Sequence, residues 1–369
     1  MEGDCMIRSV LLSVFIITTT VCFAEEDIFI ITQMNSIRFI PIFQCWTVND
    51  SNTFSESSFP VTAYFHFGQN LGLSFHASQA SAGGDQTHEL RGLTDTQVAL
   101  SYYLEWANTV INFGVNVPNG RKEFTYDEFM TSYILSLNYF DFKVPSFGQG
   151  LNLSPGFSWA SPLNENLVAG LGVSYQYKGK YKPFDYMIHE YDPGDEIILT
   201  SGMDYRLGAT SMISVDGIYS IYETDKVGDK EVFASGNRLM VNLQFKKYFG
   251  YDNLWLFTRF RTKEKNVIAQ AGSMDLAREE MTPNQFEYLG QFQFHPTQMM
   301  ALGIVVNGRY YEETNDYPGV NIVGFGITPE IRISQKLIIP LRFLYFLGSY
   351  QNGSRISGLE TTLGFSFGF

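Results

Sequence analysis

The segment Leu359-Glu360-Thr361-Thr362-Leu363-Gly364-Phe365-Ser366-Phe367-Gly368-Phe369 decides the fold. A strand turns successive side chains to opposite faces. Thr361, Leu363, Phe365, Phe367 and Phe369 therefore share one face, and Glu360, Thr362, Gly364, Ser366 and Gly368 the other. One face suits lipid and the other a polar lumen. This is the pattern of the closing strand of an up-and-down transmembrane antiparallel β-barrel, which makes the chain all-β. Phe365, Phe367 and Phe369 are also the expected signal to a barrel-assembly machinery.

At the other end, residues 10 to 23 (VLLSVFIITTTVCF) are an apolar run followed by Ala24 and then Glu25-Glu26-Asp27. The run has the length of a secretory signal and falls short of the roughly 20 apolar residues that a spanning helix needs. Residues 1–24 are thus expected to be a signal peptide, 25–35 a short periplasmic segment and 36–369 the barrel. Met1-Glu2-Gly3-Asp4 is acidic where a signal is normally basic, so Met6, ahead of Ile7-Arg8, competes as the start. A lipoprotein site at Cys22 is disfavoured by the preceding Thr19-Thr20-Val21. Loss of the signal leaves Cys45 alone, without a partner for an intramolecular disulfide.

Composition narrows the class further. Aromatic residues make up 16% of the chain while mean hydropathy is -0.06, and no internal segment is a continuous apolar helix. Only helices and closed barrels satisfy their backbone in lipid, so a membrane protein of this composition is a barrel. The net charge of -13 excludes the basic footprint of a nucleic-acid binder. The expected surroundings are outer-membrane lipid and a small solute in a Gram-negative cell, with no nucleic acid, no cofactor and no metal.

Sixteen strands are read at 36–47, 58–67, 70–80, 95–105, 108–118, 150–160, 166–178, 195–207, 210–223, 232–248, 253–265, 284–294, 299–313, 319–333, 336–347 and 357–369. Short connections alternate with long ones, the meander of a barrel with periplasmic turns and extracellular loops. The first hairpin alternates poorly, and without it the count becomes fourteen. Lipid-facing sets include Leu171, Val173, Tyr175 and Tyr177, and Leu337, Ile339, Leu341, Phe343 and Tyr345.

Charges of both signs fall on inward positions. The densest group is Arg259-x-Arg261-x-Lys263-x-Lys265, joined by Arg238, Arg309, Arg332 and Arg342 from other strands. A cationic wall in a confined lumen favours anions. Glu287, Glu330 and Glu360 are the acids that could neutralise it into a purely structural network, and the two roles are compatible. The long connection 119–149 is too apolar for a solvated loop, and a loop this long usually serves a function. It is expected to constrict or cover the lumen through Phe129, Tyr133, Tyr139 and Phe142. Continuation of a strand above the membrane, or an extra membrane strand, are its alternatives.

Residues Gly92-Leu93-Thr94-Asp95-Thr96 with Ser101-Tyr102, and Phe113-Gly114-Val115-Asn116-Val117-Pro118-Asn119-Gly120-Arg121, carry a resemblance. They are similar to the G-L-x-D-T strand start and the G-x-N-x-P-x-G-K segment of outer-membrane barrels of the meta-pathway phenol-degradation and long-chain fatty-acid transporter-like group. Arg121 stands in place of the Lys. Gly148 to Pro162 and Gly170-Leu171-Gly172-Val173-Ser174-Tyr175 fit that group's G-x-x-x-S-Y repeat. The resemblance implies a barrel that takes up small hydrophobic or aromatic compounds. Only Glu25 to Asn35 precedes the first expected strand, which leaves no room for an identifiable hatch.

Rival classes rest on thinner patterns. An acyl hydrolase needs a serine and a histidine within reach of each other, and His66 and His76 lie beside Thr62 and Ser74 as lumen-lining residues would. The same two histidines lack a third metal ligand, and no phosphate loop or nucleophile elbow occurs. The chain therefore reads as a non-enzymatic channel or transporter. A barrel anchoring adhesive loops near 80–94, 181–194 and 266–283, with a rim of Tyr181, Phe184 and Tyr186, is the alternative.

Overall fold

The computed structural model describes residues 35–137, 139–185, 187–270, 273–279, 283–315 and 317–369. The expected signal peptide, both candidate start methionines, residues 25–34 and the rim residue Tyr186 lie outside the described residues.

The described residues form sixteen barrel strands. They are β1 (Ser36–Phe39 and Ile42–Val48), β2 (Asn52–Phe67), β3 (Leu71–Gly84), β4 (Thr87–Leu93 and Thr96–Leu104), β5 (Thr109–Val117), β6 (Asn152–Asn164), β7 (Leu167–Lys178) and β8 (Glu196–Arg206). The ring continues through β9 (Ser211–Tyr222), β10 (Arg238–Phe249), β11 (Asp252–Lys263), β12 (Asn284–Thr297), β13 (Met300–Tyr311), β14 (Val320–Arg332), β15 (Leu337–Tyr350) and β16 (Arg355–Leu363 and Phe365–Gly368). Each strand runs antiparallel to the next. β1 closes the ring on β16, with Ser36 opposite Gly368 and Val48 opposite Ile356.

The interruptions have local causes. Pro41 offers no N–H to its neighbours, so the ladder of β1 skips there while the register continues on both sides. In β4 the register slips by one: Gln79 of β3 faces Leu93, whereas His76 faces Gln97. That bulge holds Thr94, which stays bonded to Ser78 of β3 at 2.8 Å, and Asp95, which leaves the ladder to serve the inner loop.

The two faces of the wall differ as the alternation requires. Outward Leu199, Phe260, Ile304, Phe325 and Phe343 are exposed, whereas inward Trp46, Ile322 and Phe346 are buried. An apolar outer surface that encircles the whole molecule is stable only in a bilayer. The outward band on β14 runs from Val323 through Phe325 and Ile327 to Ile331, close to the 9–11 residues that a tilted strand needs to cross.

Four sequence expectations are corrected. β2 begins at Asn52, so a turn at Asn49–Ser51 replaces the expected connection across 48–57. Phe54, Glu56 and Ser58 do alternate inward there, but their outward partners Thr53, Ser55 and Ser57 are polar and hid the pattern. The region 80–94 is not a loop: β3 reaches Gly84 and β4 starts at Thr87. Residues 232–234 belong to a loop strand, and β10 starts only at Arg238. β11 ends at Lys263, which puts Lys265 beyond it in an exposed loop, 3.2 Å from Glu279.

At the long-loop end, Tyr191–Asp192, Thr224–Val227, Lys230–Ala234, Asn266–Gln270 and Ser273–Arg278 form a separate five-stranded sheet built from three connections. Its strands continue above the apolar band.

The facing of β14 is open to direct test. Phe325→Arg is expected to lower unfolding stability in vesicles by about 2–4 kcal/mol, the cost of a cation at the bilayer midplane. Asn321→Arg, outward but near the rim, should cost about 0–1 kcal/mol in the same urea titration.

Candidate functional site

The connection between β5 and β6, residues 118–151, folds back into the barrel. One carboxylate fastens both of its ends. Asp95, in the β4 bulge, accepts hydrogen bonds from Gly120 N (2.8 Å), Gln149 N (2.7 Å) and the Asn116 side chain (3.0 Å). Its own N–H donates to Phe147 O at 2.8 Å. A Cβ at position 120 would collide with Phe147 O and Asp95 N, so only glycine fits between them. Asn119 Oδ1 accepts from Thr96 N at 2.8 Å, and its amide donates to Thr96 Oγ1 at 2.8 Å. Asp95-Thr96 and Asn116 to Arg121, distant in the chain, thus form one junction.

From that root the chain enters α1 (Tyr126–Leu135), whose start is a capping box between Thr125 and Glu128. The Glu128 carboxylate also binds the Arg121 guanidinium at 2.6 Å. Burial works to raise the Glu128 pKa, but the Thr125 N–H and Arg121 outweigh it and hold the group below its ordinary range. Buried Thr131 ties the helix to β4 by donating to His88 O at 2.5 Å.

Beyond α1 the residues Phe140-Asp141-Phe142-Lys143-Val144 alternate like a strand although they pair with none. Phe140, Phe142 and Val144 are buried against the wall. The Phe140 ring lies 5.3 Å from Trp46 on β1, and Phe142 lies 5.2 Å from Phe54 on β2. Tyr139 meets Tyr311 and Tyr350 at 6.0 and 5.8 Å. The charged side chains complete a polar network. Lys143 Nζ is 3.0 Å from Asp141 and 3.7 Å from Glu360, which in turn is 3.0 Å from Arg342. Gln44 donates to Glu360 at 2.8 Å and to Asp141 O at 3.0 Å, while Val144 N donates to Glu56 at 3.2 Å. Arg309 Nη1 lies 3.6 Å from the Asp141 carboxylate.

Cations also line β7, β10 and β11. Lys178, Lys263 and Arg238 surround the Tyr222 ring at 5.3, 5.7 and 5.9 Å. Glu196 lies 3.3 Å from Lys178 and 3.6 Å from Arg238. Arg259 donates to Asn242 at 3.0 Å and pairs with Glu287 at 3.6 Å.

The structure brings Arg238, Arg259, Arg261 and Lys263 together on two adjacent strands and sets Arg309 and Arg342 under the loop tip. Arg332 pairs instead with Glu330 at 3.0 Å near the short-turn end, and Lys265 lies outside the lumen. Of the aromatic set, Tyr139 and Phe142 occupy the tip and Tyr133 packs beside it. Phe129 faces Phe184 at 4.9 Å, in the loop after β7. Phe365 and Phe367 point outward on β16, and Phe369, just beyond its end, is exposed as well. His76 Nδ1 is 3.0 Å from Thr62 Oγ1, and no metal-binding group of three or more His, Cys, Asp or Glu occurs among the described residues. Sequence reasoning missed Asp95, Asp141, Lys143, Gln44 and Glu56. The period-two run Phe140 to Val144 was the available signal for two of them.

A closed ring of sixteen antiparallel strands with its longest connection folded against the inner wall defines a transmembrane β-barrel of porin architecture. Known structures show the same fold. OprB of Pseudomonas putida superposes with a TM-score of 0.51 at 9% identity, covering 91% of this chain and 94% of that one. CdiB of Acinetobacter baumannii gives 0.53 at 9% identity, covering 89% of this chain and 60% of that one. No protein-family model and no curated protein matches the sequence.

Two outcomes follow from the root of the loop. Hydrogen bonds to a charged group contribute about 1.5–3 kcal/mol each, so Asp95→Ala should ease local opening of 118–151 by about 3 kcal/mol or more. Amide exchange at Gly120 and Gln149 and proteolysis within the loop should then accelerate while the barrel stays resistant to cold detergent. Because the Glu128 pKa is depressed on folding, the cap contributes fully above the ordinary carboxyl value and is lost as pH falls through the lower folded value. Exchange across 121–129 should accelerate in that acid window in the parent and not in Glu128→Gln.

Proposed function

We propose that this chain is an outer-membrane channel through which small solutes cross a Gram-negative envelope passively, with no chemical step. The observation that carries the reading is the inner loop, whose tip is fastened to the wall by Asp141 to Arg309, Lys143 to Glu360 and Val144 to Glu56 and so narrows the lumen at a defined level. A loop held inside by charge pairs is a constriction in which side-chain charge selects the solute. Arg238, Arg259, Arg261 and Lys263 favour anions there, and the nearby carboxylates moderate that preference. Hydrophobic or aromatic compounds are the solute class that the resemblance over residues 90 to 180 implies. Insertion would depend on the assembly machinery reading Phe365, Phe367 and Phe369.

A second reading is favoured by the five-stranded sheet above the barrel, a rigid platform that an adhesive anchor would display. Conductance separates the two. In planar bilayers under a salt gradient, the refolded protein should give steady single-channel steps with an anion-favouring reversal potential. Arg259→Ser with Arg261→Ser should move that potential toward zero by severalfold in permeability ratio. Silence from a correctly folded barrel would contradict the channel and favour the anchor.

A further inference from the structure

The Asp141 carboxylate combines three properties that are seldom found in a structural ion pair. It sits in the left-handed backbone region, at φ 55°, which Asp adopts more readily than most residues and which turns its side chain away from the buried flanking rings of Phe140 and Phe142. Its side chain is 54% exposed although it sits inside the barrel, so it faces lumen space. Lys143 Nζ donates to it at 3.0 Å, whereas Arg309, 7% exposed, stands 3.6 Å away, too far for a hydrogen bond. Arg309 Nη1 has no hydrogen-bond partner among the described residues. A buried guanidinium therefore has an exposed carboxylate at the tip of a loop as its nearest counter-charge, with Glu287 across the strand pair and Glu360 further off.

The charges around the tip are balanced. Glu56, Asp141, Glu287 and Glu360 stand against Lys143, Arg259, Arg309 and Arg342. A further carboxylate binds Arg309 favourably only by taking the place of Asp141, and the planar fork of the guanidinium is shaped for that exchange. Once Asp141 leaves, the tip keeps its Gln44 and Val144 bonds but loses the charge contact next to Phe140, whose ring lies 5.3 Å from Trp46.

We propose that Asp141 is an internal stand-in for a solute carboxylate, and that a small carboxylate entering the lumen displaces it from Arg309 and loosens the loop tip. This rests on the channel reading and specifies its substrate class. A stand-in of this kind holds the lumen narrow until the right chemistry arrives.

Trp46 reports the exchange, because its ring touches Phe140 and lies 5.7 Å beneath Arg309. The test uses the full barrel in vesicles with Trp106, Trp159 and Trp255 changed to Phe. Sodium propionate is titrated against sodium chloride and propan-1-ol at equal concentration, with emission and conductance both recorded. A saturable Trp46 shift with propionate alone is expected. Asp141→Asn should begin at the shifted position and respond at most a third as much. Equal responses to chloride or propanol, or a parent-like titration in Asp141→Asn, would overturn the proposal. Steady conductance with a propionate-insensitive Trp46 would also overturn it while leaving the channel intact. A saturable shift in a silent barrel would support the carboxylate exchange and remove the channel reading.

Discussion

The pairing of β1 with β16 governs everything else in this molecule. In a bilayer an unpaired strand edge leaves a row of N–H and C=O groups without water, and only a closed sheet avoids that cost. The register from Ser36–Gly368 to Val48–Ile356 removes both edges at once, with Pro41 placed where its missing N–H interrupts the ladder briefly. Closure also divides space into lipid outside and lumen inside. Loop 118–151 is rich in aromatic residues, and it has neither a soluble core to join nor an exposed sheet face to cover. Its apolar side chains are buried by folding inward against Trp46, Phe54 and Tyr311.

Folding inward would strand Asp141 and Lys143 near a wall of low polarity. The wall answers with Arg309, Arg342, Glu360, Gln44 and Glu56, each carried on an inward strand position. Removing one member of such a network leaves its partner with an uncompensated charge, which costs more than the pair itself contributes. The loop is thus held by mutual need: the tip supplies charges that the wall must satisfy, and the wall supplies charges that hold the tip. Asp95 fixes the root independently of that exchange, so tip movement need not unseat the loop.

The strand order was legible because the outer face must be apolar. Leu337 to Tyr345, or Phe365 to Phe369, announce their facing without any knowledge of neighbours. Legibility failed where that requirement lapses. Thr53, Ser55 and Ser57 point outward beyond the apolar band, so β2 looked like loop, and the bulge at Thr94-Asp95 broke the alternation of β4. The site was legible only in part. Arg259 and Arg261 announced themselves by spacing of two, but pairing between Asp141 and Arg309 joins residues 168 apart in number and has no local signature. Asp95 was visible within a recurring motif, yet nothing local revealed that Gly120 and Gln149 converge on it.

Narrowing of the lumen by the tip of the inner loop has a direct electrical signature. Replacing residues 139–144 with a Gly-Ser linker of equal length and measuring single-channel conductance of the refolded barrel tests it most directly. A barrel that still resists cold detergent and conducts severalfold more than the parent is expected. Equal conductance in the two would contradict the narrowing.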